Sequence, residues 1–267
     1  MTRKTIFITG GGSGIGRAVA QKFAGHGWFI GLADIDEAGM HGTAASLPAG
    51  ASSSHKFDVR DRAVWDDALA ACAAAAGGRI DVVFNNAGIP LGGQITELSV
   101  AEIERCLDIN LKGVIFGAQA AHPWLKASAP GSCLLNTASA AGIYGAANTS
   151  IYAATKFGVR AITESLDAEW FADGIVVRDL MPAFIDTPLL DHAPNQTSNE
   201  HIRGRVQEAG LEISPVSDVA DAAWAAVHGE RLHTLVGKTA RRLAFAAKWL
   251  PGRLRQMSRT ALSAPAD

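Results

Sequence analysis

Ser139, Tyr152 and Lys156 fall within one stretch of eighteen residues. Tyr152 and Lys156 are four apart, so on a helix they share a face and the ammonium can act on the phenol. A free phenol has a pKa of about 10, which makes it a reluctant proton donor at neutral pH and rarely a base. A fixed positive charge beside it favours the phenolate and brings the pKa towards the working range. Ser139 precedes the helix by a loop of small residues, and its hydroxyl can turn back to bond the oxygen that Tyr152 serves. One acid/base, one cation and one hydroxyl around one oxygen suit the interconversion of an alcohol and a carbonyl. Tyr-x-x-x-Lys alone is common on solvated helix faces, so this chemistry needs support from the rest of the chain.

The N-terminal sequence supplies a partner. A β-rich run over 4–9 is followed by Gly10-Gly-Gly-Ser13-Gly14-Ile15-Gly16 and then by a helical pattern to His26. Strand, glycine turn and helix are the context of a dinucleotide loop, although the spacing is G-x-x-x-G-x-G rather than G-x-G-x-x-G. Glycines let the backbone approach a pyrophosphate, and the helix N-terminus supplies N–H donors and a favourable dipole. An ordinary glycine-rich turn is the alternative. Asp34 ends a second apolar run, eighteen residues beyond Gly16. A carboxylate there accepts hydrogen bonds from both adenosine ribose hydroxyls and repels a 2′-phosphate, which favours NAD over NADP.

The remaining pattern alternates. Strands are expected near 52–57, 80–84, 132–137, 175–181 and 233–237. Helices are expected near 37–47, 61–76, 99–107, 108–127, 151–172 and 217–228. This predicts an α/β fold: a doubly wound Rossmann arrangement with a parallel sheet of about seven strands and helices on both faces. Asn85, Asn86, Ala87 and Gly88 end the fourth strand, at the sheet edge where open α/β folds bind ligands. Residues 183–215 read as an irregular, polar lid, so 1–238 forms one domain and 239–267 a basic extension. Cys72, Cys106 and Cys133 have no metal-ligand spacing, and no metal site is expected; they read as buried or free thiols. The first apolar run is too short for a signal peptide or a membrane span, which points to a cytoplasmic protein.

Thr9-Gly10-x-x-x-Gly14-x-Gly16, Asn85-Asn86-Ala87-Gly88, Asn110, Ser139 and Tyr152-x-x-x-Lys156 occur in this order. In type and spacing the set resembles the short-chain dehydrogenases/reductases over about residues 4–238. The resemblance implies that Tyr152 is the general acid/base, that Lys156 lowers its pKa and binds the nicotinamide ribose, and that Ser139 holds the substrate oxygen. It implies that Asn110 anchors a water joining Lys156 to solvent. Gly10, Ser13, Gly14, Ile15 and Gly16 would surround the pyrophosphate. Asp58, Val59, Asn85, Ala87 and Gly88 would line the adenosine side. Ile185 and Thr187 would receive the carboxamide, with Pro182 on the same edge. The family usually has Pro-Gly where this chain has Pro182-Ala183; if that glycine is left-handed, the loop must differ here.

Ala141, Tyr144 and Leu189 join Ser139 and Tyr152 as candidate substrate contacts. They are mostly apolar, so a hydrophobic alcohol or ketone is expected. His192, His201, Arg203 and Arg205 could meet an anion, but a solvated lid is the preferred reading. The chain carries net −2, unevenly: residues 1–230 sum to −9 and residues 231–267 to +7. Residues 238–259 mix cations with apolar residues at helical spacing. Docking against the acidic body or a sister subunit is preferred there over contact with an anionic membrane. Nucleic acid is not expected, because the positive charge sits on one terminal segment without a nucleic-acid motif. The resemblance implies a homodimer or homotetramer through the helices holding Asn110 and Tyr152. Two alternatives stay open: an NADP(H)-dependent reductase of the same kind, and a non-catalytic dinucleotide sensor on the same scaffold.

Overall fold

In the computed structural model, which describes residues 3–260, the chain begins with β1 (Thr5–Thr9), buried along its whole length. Ile6 and Ile8 pack on one face of the sheet and Phe7 on the other. A strand covered on both faces needs such a continuous apolar run. The chain continues through α1 (Gly14–Gly25), β2 (Phe29–Asp34), α2 (Glu37–Ala45), β3 (Ser52–Lys56), α3 (Arg62–Ala75) and β4 (Val82–Asn85). Next come α4 (Val100–Leu107), a π-helical turn (Asp108–Lys112), α5 (Gly113–Ser128), β5 (Ser132–Thr137), α6 (Ser150–Glu169) and β6 (Ile175–Pro182). The last part holds β7 (Phe184–Ile185), α7 (Ile202–Glu208), β8 (Ile213–Ser214), α8 (Val216–His228), β9 (His233–Val236), α9 (Lys238–Trp249) and α10 (Pro251–Thr260).

Seven strands form one parallel sheet in the order β3-β2-β1-β4-β5-β6-β9. Helices α1, α2 and α8 pack on one face, through Val19, Phe23, Met40 and Val219. Helices α3 and α5 cover the other, through Trp65, Leu69, Ala121 and Leu125. The sheet is the doubly wound arrangement that the alternation predicts. Its order reverses between β1 and β4, the crevice where such sheets take ligands. Because every strand is parallel, the segments after β1 to β6 all leave from one edge, and every candidate residue lies on one of them or on a helix facing it.

The segment 183–215 is more ordered than its composition suggests. β7 pairs with β8, and Asn195 Nδ2 donates to the Gly92 carbonyl at 2.7 Å. The Gln196 N–H donates to Glu102 at 2.8 Å. Two-residue strands have no periodicity to read, which is why the sequence shows only a polar loop. Expected helices 99–107 and 108–127 form one continuous path joined by the π turn. At the C-terminus the helical pattern breaks at Pro251, which lacks an N–H and opens α10. Residues 261–267 of the extension lie outside the described residues. No helix among the described residues is long and apolar enough to cross a membrane.

A charged pair fastens the β9 edge. His233 Nδ1 lies 2.9 Å from Asp179 Oδ2 and Nε2 lies 3.0 Å from Glu164 Oε1. Asp179 is fully buried. Its hydrogen bond holds the His233 imidazole above the usual range, against the opposing effect of burial. A raised imidazole pKa contributes stability that is complete below the ordinary value and is lost as pH rises through the raised one. His233→Gln is therefore expected to destabilise the fold by about 3 kcal/mol at mildly acidic pH, where the imidazolium is the charged partner of Asp179, a carboxyl that burial itself pushes above its usual range. Denaturant titrations across pH should show the loss shrinking towards alkaline pH.

Candidate active site

The glycine turn is built by close approach. A Cβ on Gly16 would lie 2.0 Å from the Gly10 carbonyl oxygen, so α1 can start this near the turn only with glycine there. Gly10 and Gly14 have φ of +68° and +49°, which glycine adopts freely. Ser13 is the N-cap of α1, yet its exposed hydroxyl caps nothing. The first turn contains no acidic residue. The leading N–H groups of α1 thus face outward without a side-chain acceptor, a ready anion site.

Asp34, half-buried at the tip of β2, is aimed at this turn. Its Oδ2 accepts the Gly12 N–H at 2.9 Å and its Oδ1 accepts the Asp36 N–H at 3.0 Å. Thr187 comes over the turn from the far side of the sheet: a Cβ on Gly14 would be 3.2 Å from Thr187 Cγ2. Ile185, in β7 just before it, is buried.

Tyr152 and Lys156 sit in the first two turns of α6. Lys156 is buried, and its Nζ donates to the Thr137 carbonyl at 2.8 Å, at the end of β5. That Nζ lies 5.6 Å from the centre of the Tyr152 ring. Ser139 follows β5; its hydroxyl donates to the Pro182 carbonyl at 3.3 Å and accepts the Ala141 N–H at 3.1 Å. Asn110 is fully buried in the π turn. Its Nδ2 donates to the Ile89 carbonyl and its Oδ1 accepts the Ile89 N–H, both at 2.8 Å. A Cβ on Gly88 would lie 3.2 Å from Asn110 Oδ1 and 3.7 Å from Lys156 Nζ. The two side chains converge over Gly88, at the end of β4.

Comparison with known proteins gives the family. A family model described as short chain dehydrogenase matches residues 4–198. The meso-2,3-butanediol dehydrogenase of Serratia marcescens is 30% identical over 241 residues, covering 89% of this chain and 95% of that one. The levodione reductase of Leifsonia aquatica is 33% identical over 226 residues, covering 83% and 84%. A solved short chain dehydrogenase/reductase from Burkholderia phymatum, in complex with NAD, matches with a TM-score of 0.83 at 26% identity and covers 96% of this chain and 95% of that one. The chain belongs to the short-chain dehydrogenase/reductase family.

Within this short-chain dehydrogenase/reductase, the structure places the other sequence-derived candidates on or beside the same sheet edge. Asn85 turns its side chain into the core: Nδ2 donates to Asn136 Oδ1 at 3.0 Å and to the Val114 carbonyl at 3.3 Å. The neighbouring Asn86 is the strut instead. Its Nδ2 donates to the Thr9 carbonyl at 3.0 Å and its Oδ1 accepts from Thr137 at 3.2 Å, tying β1, β4 and β5 together. Asp58 is held by Arg60, whose Nε donates to both carboxylate oxygens. Val59 packs on the start of α5, where a Cβ on Gly113 would be 2.9 Å from its Cγ2. Ala87 and Gly88 stay at the sheet edge, half-buried. Ala183 is not left-handed, so the change from the family's usual glycine strains nothing. Ala141 lies in the turn after Ser139, Tyr144 in the loop leading to α6 and Leu189 in the turn after β7, each half-buried. Arg203 is paired with Asp186 and Asp191, and Arg205 with Glu200, so these lid cations are neutralised within the lid.

The electrostatics also differ from the simple charge argument. Burial pushes the Tyr152 phenol above its usual range, and the Ser139 hydroxyl pulls it back. Burial brings Lys156 down to about 8. Burial also pushes the thiols of Cys72, Cys106 and Cys133 up to about 12, 11 and 12, leaving them inert. Two contributors were given no role from the sequence, although Thr9 heads its glycine motif. Thr9 Oγ1 accepts the N–H groups of Asn86 and Ala87 at 3.0 and 3.1 Å. Arg17 donates to the Gly12 carbonyl at 2.7 Å and to Thr43 at 2.9 Å, bracing the glycine turn from behind. Thr9 directly precedes Gly10, which was the available signal; nothing in the sequence singles out Arg17.

Proposed function

We propose that this protein is an NAD(H)-dependent oxidoreductase that interconverts a hydrophobic alcohol with its ketone or aldehyde. The supporting observation is that Ser139, Tyr152 and Lys156 gather on the sheet edge that also carries the glycine turn and Asp34. The residues present fit a dinucleotide: the cradle between Gly10 and Gly16 admits no side chain, and the N-terminus of α1 offers unpaired N–H groups. Gly14, Ile15 and Gly16 would hold the pyrophosphate, Asp34 the adenosine ribose, and Ile185 and Thr187 the nicotinamide end. The cofactor would supply the hydride chemistry. Tyr152 donates a proton to the substrate oxygen in reduction and removes it in oxidation. Ser139 orients that oxygen, and Lys156 holds charge beneath it. The printed names of the relatives, a butanediol dehydrogenase and a levodione reductase, support alcohol and ketone substrates. Assembly as a homodimer or homotetramer through α5 and α6 belongs to the same reading.

Cofactor titration tests the first part, by quenching of the six tryptophans and by NADH fluorescence. NADH is expected to bind at least tenfold more tightly than NADPH, a difference of about 1.4 kcal/mol, and Asp34→Ala to erase that preference. A wild-type preference for NADPH would overturn the carboxylate argument. Binding of neither would favour a protein without redox turnover.

A further inference from the structure

We propose that α9 and α10 dock this protein on an anionic lipid bilayer. One side of α9 is already occupied. Ala240 is fully buried, and the helix rests against β9 and the 140–142 turn. Leu243, Ala244 and Ala247 lie on that side and are half-buried. The opposite side presents Phe245 and Trp249, 60% and 62% exposed. Spacing of four stacks these rings on one face. Arg241, Arg242 and Lys248 surround them and are exposed.

The charge pattern selects the occupant. Residues 238–260 contain seven Lys and Arg and no Asp or Glu. In α9, Lys238 approaches a carboxylate, Glu212 at 3.8 Å, while Arg241 and Arg242 lie exposed. Lys248 lies over the Trp249 ring at 5.0 Å. Elsewhere on the surface cations such as Arg203, Arg205 and Lys112 are paired with acids of the same chain. The cores of protein–protein interfaces are depleted in charge, and each buried cation there needs its own partner. Phe245 and Trp249 interleaved with the exposed Arg241, Arg242 and Lys248 suit a fluid leaflet instead, whose headgroups pair each of these cations while the rings enter the acyl boundary. The negative body, net −9 over residues 1–230, is repelled by the same leaflet, so the C-terminal face sets the orientation.

The test uses the full chain and sedimentation with two vesicle types, pure phosphatidylcholine and an equimolar mixture with phosphatidylglycerol. Binding to the mixed vesicles is expected, with release at about 0.5 M salt, where the screening length falls to a few ångströms. Each basic residue at such a surface strengthens binding about fivefold, so Arg241→Gln with Arg242→Gln should weaken it about 25-fold. Phe245→Ala with Trp249→Ala should weaken it at least tenfold. These side chains are exposed, and unchanged circular dichroism and melting temperature verify the fold. Absence of binding, or equal binding by wild type and both double variants, overturns the proposal. Loss of a higher oligomer in light scattering on Phe245→Ala with Trp249→Ala, without vesicle binding by the wild type, assigns the face to a second copy instead.

Discussion

Tyr152→Phe is expected to lower kcat about a thousandfold while leaving the dinucleotide affinity unchanged. A positioned general acid/base contributes about 10²–10⁴ in rate, and the phenol is the only group this substitution removes. Phenylalanine keeps the ring that packs beside Lys156, so the start of α6 and the Lys156–Thr137 bond should survive. The relevant measurements are steady-state kinetics with any carbonyl compound the wild type reduces, and fluorescence titration with NADH. Residual activity within tenfold of wild type would remove Tyr152 from the proton-transfer role. A parallel loss of NADH binding would mean that the substitution disturbed the site. Because burial raises the phenol's pKa and Ser139 lowers it, Ser139→Ala should move the alkaline limb of the kcat profile upward in the reduction direction. The neutral, proton-donating form then persists to higher pH.

Gly16→Ala is expected to have the largest effect on the fold. Its new methyl would meet the Gly10 carbonyl at 2.0 Å, a backbone atom that no side-chain rotation can clear. Either α1 withdraws or the glycine turn opens, at a cost of about 3 kcal/mol or more. That is a large part of the 5–15 kcal/mol typical of a domain. The displaced turn should also lose its grip on dinucleotide, since the N–H groups of α1 no longer point into the cradle. Gly25→Ala in the same helix is the control. No atom of the described residues lies within 4 Å of its new methyl, and the helix should be unchanged or stabilised by up to about 1 kcal/mol. Denaturant midpoints of the two variants, with NADH titration, separate crowding at the turn from a general intolerance of alanine in α1.

Much of this was legible from the chain because local and global signals coincide. Glycines at 10, 14 and 16 lie between a buried strand and an amphipathic helix, so turn chemistry and periodicity give the same answer. Asp34 was legible because a strand-end acid at that distance has few other neighbours. Asn85 and Asn86 show the limit. They are adjacent and chemically identical, yet strand alternation sends one into the core and the other across the sheet edge. Only the packing of α5 determines which is which. The π turn around Asn110 shares the apolar periodicity of the helices beside it and leaves no mark of its own. For the Tyr152 phenol the charge pattern shows Lys156 but not burial, because desolvation depends on how deeply α6 seats against β5, a tertiary quantity.

The β3 edge of the sheet limits how copies of this chain can meet. β3 reads Ser-Ser-Ser-His-Lys, its Lys56 reaching out to Glu37 at 2.7 Å. Short, polar and carrying lysine, it offers a poor template for a foreign strand. Growth of the sheet by addition of another molecule's strand is discouraged on that side, both in the native protein and in partly folded chains during synthesis. Any contact between copies is therefore directed to the helical faces or to the opposite border at β9, and runaway polymerisation through backbone pairing is disfavoured from the β3 side.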